Sequence, residues 1–193
     1  MALACRMQGQ LDTHHYTHDV SLMPVPLSRG LWEAEHRTAR KRAWRAERLG
    51  YRFAEVDMSR YSDDRHEINT SKQERQGRPM ADGYLTRHEC GRLPDYPCWR
   101  HQILTFGVLE GESLRAYMTL YRVGELAMVS MILGHGDHRR DDIMYLLAAG
   151  MIDHQAGWGG WFYYNRHDSG TDGLRYYKER IGFAATDIAW SLT

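Results

Sequence analysis

The chain has 193 residues, with 25 basic and 25 acidic side chains and 11 histidines, so its formal charge is zero at neutral pH. This length is sufficient for one sizeable domain, which should bury about 70% of its unfolded surface without a metal or a disulfide. The charge balance argues against a partner held by net charge alone, such as bulk DNA, while a local basic face is still allowed.

Cysteine usage and the lack of long apolar runs predict a soluble, cytoplasmic protein. The three cysteines, Cys5, Cys90 and Cys98, are an odd number, and the first ten residues lack the apolar core of a secretory leader. No apolar run approaches the roughly 18 to 20 residues of a membrane span, so no membrane partner is expected.

The first 29 residues contain the histidine-rich THHYTH, the prolines of MPVPLS and little periodicity. This pattern predicts an N-terminal arm over residues 1–29, either flexible or draped over the domain. Residues 30–193 then form a single domain, because neither a linker nor an internal repeat divides them.

The next 50 residues predict a helix, a strand and a second helix. LWEAEHRTARKRAWRAERLG has helical periodicity that ends at Gly50, and YRFAEVDM alternates like a half-buried strand. SDDRHEINTSKQERQGRPM predicts a helix that Ser62 caps and that breaks at Gly77 and Pro79.

The first of these helices carries a basic stripe. Arg37, Lys41, Arg45 and Arg48 fall at helical spacing on one face, which suits a phosphate track on a nucleic acid such as tRNA. The alternative is an ordinary solvated face, because glutamates alternate with these cations.

The segment HECGRLPDYPCWRH predicts a loop with two histidine and cysteine pairs, His88 with Cys90 and Cys98 with His101. Zinc accepts two sulfur and two nitrogen ligands, but the His-x-Cys spacing differs from common zinc ligand pairs. We therefore expect no metal and interpret the segment as a loop with a half-buried cysteine.

The clearest pattern is a run of three strands followed by a glycine-bearing turn. RHQILTFGVLEG, ESLRAYMTLYRVG and ELAMVSMILG are separated by two Gly-Glu turns, which predicts an antiparallel meander. MILGHGDHRRDDIMYLL then passes from strand to turn to a helix from about Arg140 to Gln155. The start of such a helix favours an anionic or acyl-carrying ligand, because its first N–H groups are unpaired.

The chain closes with a strand at WFYYNRH, a helix at TDGLRYYKERIG and a strand at FAATDIAWSLT. The whole order predicts an α+β fold with a central mixed, mostly antiparallel sheet flanked by helices.

The C-terminal half, from about residue 101 to 190, resembles the GNAT acyltransferase superfamily. The resemblance lies in the element order just described and in GLRYYKERIGF at the last helix and strand. It implies a GNAT-like sheet in which one strand splays from its neighbour and contacts an acyl donor. The donor-binding residues implied are Ile132, Leu133, Gly134, Gly136 and Lys178.

The turn departs from the usual family pattern and leaves two donors open. HRRDDI stands where the family has glycines, so Asp141 and Asp142 would face the pyrophosphate of an acyl-CoA with like charge. Fem-type and arginyl-transferase-like relatives take the acyl group from an aminoacyl-tRNA, and SKQERQGRPM and SGTDGLRYYKERIGF are loosely similar to them. Both acyl-CoA and aminoacyl-tRNA are therefore candidate donors.

Three residues are candidates for catalysis. His135 and His138 lie in the turn after a strand, where a neutral imidazole could act as a general base, although Asp137 could simply cap the helix and leave His138 in solvent. Ser130 lies on that strand, and its hydroxyl either lines a cleft or forms a hydrogen bond within the core.

Four residues are candidates for binding the acceptor. Arg75 and Arg78 could clamp a carboxylate or phosphate, or could instead satisfy the last carbonyls of a helix. Asp168 and Ser169 fall where the second wall of the cleft is expected, yet they are equally good turn and cap residues.

The sequence thus predicts an acyltransferase that moves an acyl or aminoacyl group from a thioester or aminoacyl-tRNA donor to an amine of a small molecule or peptide. One alternative is a non-catalytic binding module with the same fold. Another is a relative of the phage enzymes that modify nucleobases in DNA.

Overall fold

The computed structural model describes residues 15–75, 77–91, 93, 98 and 100–191. The strands are β1 His15–Pro24, β2 Tyr51–Glu55, β3 Glu74–Arg75, β4 Arg78–Pro79, β5 His101–Glu110, β6 Ser113–Val123, β7 Leu126–Gly134, β8 Trp161–Arg166 and β9 Ala184–Ser191. The α-helices are α1 Arg29–Glu35, α2 Arg37–Arg48, α3 Ser62–Thr70, α4 Asp82–Leu85, α5 Ile143–Gln155 and α6 Asp172–Ile181. Short 3₁₀ turns occupy Met58–Arg60 and Asp137–Asp141.

Seven strands form one sheet in the order β2-β5-β6-β7-β8-β1-β9, and β3 and β4 form a separate small hairpin. Neighbours in the large sheet are antiparallel except β7 and β8, which are parallel. The predicted α+β class, the three-strand meander and the closing strand, helix and strand are confirmed. The two Gly-Glu turns work as expected, because Gly111 and Gly124 adopt positive φ angles of 59° and 60°.

Two apolar clusters hold the layers together. The larger one joins one face of the sheet to α1, α2, α5 and α6, and α5 is buried on nearly all sides because α2 covers the side turned away from the sheet. The smaller cluster lies under α3 on the other face and contains Ile68, Leu109, Leu114 and Tyr117. None of the helices among the described residues is long and apolar enough to cross a membrane.

The predicted N-terminal arm differs from the structure over residues 15–24. This segment is strand β1, which lies inside the sheet between β8 and β9, and its Val20 and Met23 are 2% and 3% exposed. The histidines and prolines in and around this segment obscure the apolar and polar alternation that would indicate a strand. Its partner strands, β8 and β9, also lie far along the chain. Residues 1–14 lie outside the described part.

Two predicted helices also have different bounds. The helix predicted up to Gly50 is two helices, α1 and α2, which meet at His36. In α1, buried Trp32 donates from Nε1 to the carbonyl of Ile181. The helix predicted up to Gly77 ends at Thr70, and the Ser62 hydroxyl accepts a hydrogen bond from the Cys90 amide rather than capping the helix.

The parallel pairing of β7 and β8 is short. It joins Leu126 to Trp161, Ala127 to Phe162 and Met128 to Tyr163, and no further pair follows in the described ladder. A β-bulge interrupts the pairing of β7 with β6 at Ser130, between Val129 and Met131. The two strands therefore part in the middle of the sheet.

Gly160 sets the point at which β8 joins β7. Its φ is +85°, a Cβ there would overlap the carbonyl of Glu125, and that same carbonyl accepts the Trp161 amide at 2.8 Å. Its own carbonyl accepts the amide of Val25 at 3.0 Å, so one residue ties three segments together.

We expect Gly160→Ala to lower the free energy of unfolding by about 3 kcal/mol or more, since backbone strain and overlap add. Gly159→Ala is the matched control, because Gly159 has a φ of +82° but open space around it, and its cost should be about 1 kcal/mol. Urea unfolding measures both, and equal losses would contradict the close approach at Gly160.

Candidate functional site

The parting of β7 and β8 opens a cleft with two connected recesses. They share Arg75, Ile132, Leu133, Tyr164 and Leu174 as wall residues. The first, here called the arginine recess, has a volume of about 430 Å³ and is also lined by Arg42, Gly134, Arg139, Asp142, Met144, Tyr145, Tyr176 and Tyr177. The second, here called the hairpin recess, has a volume of about 710 Å³ and is also lined by Arg78, Tyr84, Ser130, Arg166, Asp168, Ser169 and Lys178.

Backbone groups of β7 face the cleft. The amide of His135 donates to the carbonyl of Arg115 on β6, whereas the carbonyl of Gly134 accepts Nη1 of Arg75 at 2.9 Å on the cleft side. Because the groups of successive strand residues point alternately to either side, the N–H and C=O of Ile132 also point into the cleft. A carbonyl bound there could accept a hydrogen bond from that N–H.

The arginine recess is suited to an anion. The guanidinium of Arg42 stacks on the ring of Tyr145, 4.9 Å from its centroid, and exposed Arg139 forms no ion pair with any described residue. The first turn of α5 lies at this recess, and the Asp142 side chain makes no capping hydrogen bond to it. Guanidinium groups beside a helix start favour phosphate or carboxylate.

The two aspartates of the turn do not present unpaired charge to this recess. Asp142 accepts from Arg45 at 2.9 Å and from Arg42 at 3.5 Å. Asp141 accepts from the hydroxyl of Tyr51 at 3.0 Å and lies 3.9 Å from Arg45. The repulsion expected from the sequence is offset, because α2 supplies the opposite charges.

The hairpin recess is lined by all four residues predicted for the acceptor, including Arg75, which it shares with the arginine recess. Ser130, a predicted catalytic residue, also lines it. Asp168 forms a two-pronged ion pair with Arg166 at 2.8 and 3.1 Å. That pair holds the pKa of the Asp168 carboxyl below its usual value. The recess therefore offers groups of both charges and the hydroxyls of two serines to a polar ligand.

Lys178, a predicted donor contact, lines the hairpin recess and not the arginine recess. Its side chain is buried, and Nζ donates to the carbonyl of Arg166 at 2.6 Å and to Ser169 Oγ at 3.4 Å. Nζ also lies 4.9 Å from the ring centroid of Tyr164. Burial lowers the pKa of this lysine from 10.5 to about 8.

Arg75 is fixed by the protein itself. Besides Gly134, its guanidinium donates to the carbonyl of Ile68 at 2.6 Å and to the hydroxyl of Ser71 at 3.0 Å, while its buried Nε lacks a partner. Burial is the main cause that lowers its pKa, and the charge of Arg139 adds to it. Three of the five N–H groups of Arg75 are engaged in this way, so the acceptor clamp predicted from sequence stays a prediction that would have to use Nε and the second N–H of Nη1.

The two histidines predicted as a base lie outside the residues that line either recess. His135 is buried with Nε2 3.6 Å from Glu67 on α3, and His138 Nδ1 is 2.7 Å from the hydroxyl of Tyr51. Burial and the neighbouring His138 lower the pKa of His135. Gly136, a predicted donor contact, also lies outside, with its amide bonded to Ser71 Oγ at 2.9 Å.

The basic stripe of α2 lies next to the arginine recess. Arg37, Lys41 and Arg48 are exposed and form no ion pair with described residues, whereas Arg45 is engaged with the aspartates of the turn. The opposite face, with Ala39, Ala43 and Ala46, is buried against the core. Two further exposed arginines border α2, since the carbonyl of Arg140 accepts from Arg45 and Arg180 donates to the hydroxyl of Thr38.

The histidine and cysteine pairs of the loop do not converge. Cys90 Sγ accepts from Arg65 Nη1 at 3.0 Å, and Cys98 Sγ lies 3.2 Å from His101 Nδ1. Within the described ranges, no three His, Cys, Asp or Glu side chains are grouped so that they could hold a metal ion.

Several residues of the cleft wall could not be selected from the sequence. Arg42 lies about 100° around α2 from the stripe selected by spacing, and Arg139 is one of two adjacent arginines in an irregular turn. Tyr164 and Leu174 look like ordinary core residues. Only the parting of the strands shows that all four face one cleft.

No protein-family model and no curated protein matches the chain significantly. Solved structures match its fold. The C-terminal DUF2156 domain of a protein named as a lysylphosphatidylglycerol synthetase from Agrobacterium fabrum superposes with a TM-score of 0.55 at 14% identity, over 94% of this chain and 62% of that one. L-PGS from Bacillus licheniformis gives 0.51 at 15% identity, over 92% and 61%.

A tandem GNAT protein from the clavulanic acid biosynthesis pathway gives a TM-score of 0.50 at 14% identity, over 93% of this chain and 54% of that one. This chain therefore spans between 54% and 62% of the length of these three structures. It has a divergent GNAT fold, as the sequence predicted.

We expect Arg75→Ala to lower the free energy of unfolding by about 3 kcal/mol, because it leaves the carbonyls of Gly134 and Ile68 without their charged donor. Arg78→Ala is the matched control on the same hairpin, and since its side chain is exposed, its effect should stay within about 0.5 kcal/mol. Urea unfolding compares the two. A neutral Arg75→Ala would show that these contacts contribute nothing.

Proposed function

We propose that the protein is an acyltransferase that moves an acyl or aminoacyl group from a phosphate-bearing donor to an amine acceptor. The observation that carries the proposal is the parting of β7 and β8 after three residue pairs, which opens a cleft between an arginine-lined recess and a polar one. A cleft of this kind can hold two reactants against each other, and positioning alone contributes strongly to bimolecular chemistry.

The donor is assigned to the arginine recess. Its phosphates would lie near Arg139, Arg42 and the start of α5, and its acyl carbonyl would extend along β7 toward the N–H of Ile132. That N–H would stabilise the oxyanion as the acceptor attacks. The acceptor would approach from the hairpin recess, past Arg78 and Ser169.

Between the two candidate donors, the surface of α2 favours an aminoacyl-tRNA. Arg37, Lys41 and Arg48 extend the positive surface beyond the arginine recess, farther than the phosphates of a small thioester require. One similar structure is also named for a product that contains a lysyl group. Acyl-CoA is the second candidate, because Asp141 and Asp142 are neutralised and do not bar a pyrophosphate.

We expect Arg139→Ala to weaken binding of the true donor about tenfold, which corresponds to about 1.4 kcal/mol. Calorimetry with acetyl-CoA and with a mixed pool of aminoacylated tRNA identifies that donor. Arg52→Ala on β2 is the control, because it removes an exposed arginine that lies outside both recesses. If neither donor binds, the chain is a binding module and the proposal fails.

The triple change Arg37→Ala, Lys41→Ala and Arg48→Ala separates the two donors. If tRNA is the donor, its affinity should fall and the slope of log affinity against log salt should decrease by about 2 to 3. Affinity for acetyl-CoA should stay constant in either case. A triple variant that binds tRNA with an unchanged salt slope would exclude α2 as the contact surface.

A further inference from the structure

The hairpin recess contains a buried amine whose charge is poorly compensated. Lys178 is 0% exposed, and no ion pair joins its Nζ to a carboxylate of the described residues. Its polar contacts are one carbonyl, that of Arg166, and the hydroxyl of Ser169. An ammonium group held mainly by neutral oxygen atoms loses more hydration than these contacts return.

The surrounding charged groups do little to compensate the charge of Lys178. The charged or titratable side chains near Lys178 on α6, β8, the following turn and β1 are Asp19, Tyr164, Arg166, His167, Asp168, Tyr177 and Glu179. Asp168 is already paired with Arg166, and Glu179 lies 3.5 Å from His167. The pKa of about 8 agrees with this geometry, because burial outweighs the attraction of Asp168 and Asp19.

Ser169 connects this amine to the recess. Its hydroxyl is partly exposed in the wall, lies 3.4 Å from Nζ and donates to the carbonyl of Arg166 at 2.7 Å, the same carbonyl that Nζ contacts. Rotation about the C–O bond turns the hydroxyl hydrogen toward Nζ once that nitrogen is neutral. Ser169 can then accept from a ligand in the recess and donate to Lys178 at the same time.

We infer that Ser169 and Lys178 form a proton-accepting pair for the acceptor amine, with Ser169 Oγ touching the acceptor and Lys178 acting behind it. The inference rests on the proposed acyl transfer. It assigns the role of general base, expected at His135 or His138 from the sequence, to the opposite side of the cleft.

The acceptor nitrogen forms a bond to the acyl carbon, and its proton passes to Ser169 Oγ while the hydroxyl proton of Ser169 passes to neutral Nζ of Lys178. The bond between the acyl carbon and the donor sulfur or oxygen then breaks. The ammonium group returns its proton through Ser169 or water, so the donor leaves as a thiol or an alcohol.

The protonation state can be measured without any substrate. The chain has only three lysines, Lys41, Lys72 and Lys178, so ¹³C-lysine NMR should resolve each titration. We expect one resonance with a midpoint of about 8, missing in Lys178→Met and retained in Lys72→Met and Ser169→Ala. If no lysine resonance titrates with a midpoint near 8, the inference is wrong, whatever the transfer assay shows.

The role of Ser169 and Lys178 is tested with hydroxylamine as the acceptor, because this amine is already unprotonated at neutral pH. Acetyl-CoA and aminoacylated tRNA serve as the two donors. Because Lys178 must be neutral to act, kcat/KM should rise with pH to a plateau above about 8. Ser169→Ala should lower the plateau about 100-fold and keep this rise. Lys178→Met and Lys178→Arg should be equally slow and lose the rise, while Lys72→Met should match the wild type.

The outcomes separate the two proposals. Transfer with an unchanged pH profile in Lys178→Met, or with full activity in Ser169→Ala, overturns the pair and leaves the acyltransferase intact. Transfer from neither donor overturns the acyltransferase and, with it, the role of the pair. If Lys178→Met does not fold, Lys178→Arg, Ser169→Ala and the wild-type NMR titration still decide the question.

Discussion

Everything at the candidate site depends on how briefly β7 and β8 stay paired. Parallel neighbours usually continue a ladder along their whole length, because each backbone group needs a partner. Here the ladder stops after three pairs, the bulge at Ser130 bends β7, and Asn165 in β8 adopts a positive φ of 53°. Both strands remain anchored on their outer sides, β7 by β6 and β8 by β1, so the gap between them is held open.

The cleft can be polar inside a compact α+β domain because other parts of the chain pair its backbone and charged groups. Arg75 satisfies the carbonyl of Gly134 that the missing strand would have paired. Arg42 and Arg45 of α2 neutralise Asp142, so the turn before α5 can stay irregular without unpaired charge. Both compensations come from elements distant in sequence, and both leave Arg139 and the backbone of Ile132 available to a ligand.

Local patterns predicted most of the sheet and helices, because alternation and Gly-Glu turns are properties of neighbouring residues. The meander and the GNAT-like order were predictable for that reason. The strand β1 was not, since its register depends on β8 and β9. At the candidate site, Ile132, Leu133 and Gly134, which the family resemblance selected, line the cleft together with Arg78 and Ser169. His135 and His138 were selected for their place in the turn after β7, and they do not line the cleft because their side chains contact Glu67 and Tyr51, which lie far away in the sequence.

The position of β1 between β8 and β9 has a consequence for how the domain forms. The partners of β1 lie between 137 and 176 residues further along the chain, from the pair of Pro24 with Trp161 to the pair of His15 with Ser191. Closing so long a loop is entropically costly and slow, so the meander is free to form early while this side of the sheet waits. During synthesis β1 leaves the ribosome before β8 and β9 and stays unpaired until they follow. Its apolar residues are exposed to aggregation or chaperone binding in this interval. One wall of the cleft is therefore among the last parts of the molecule to become native.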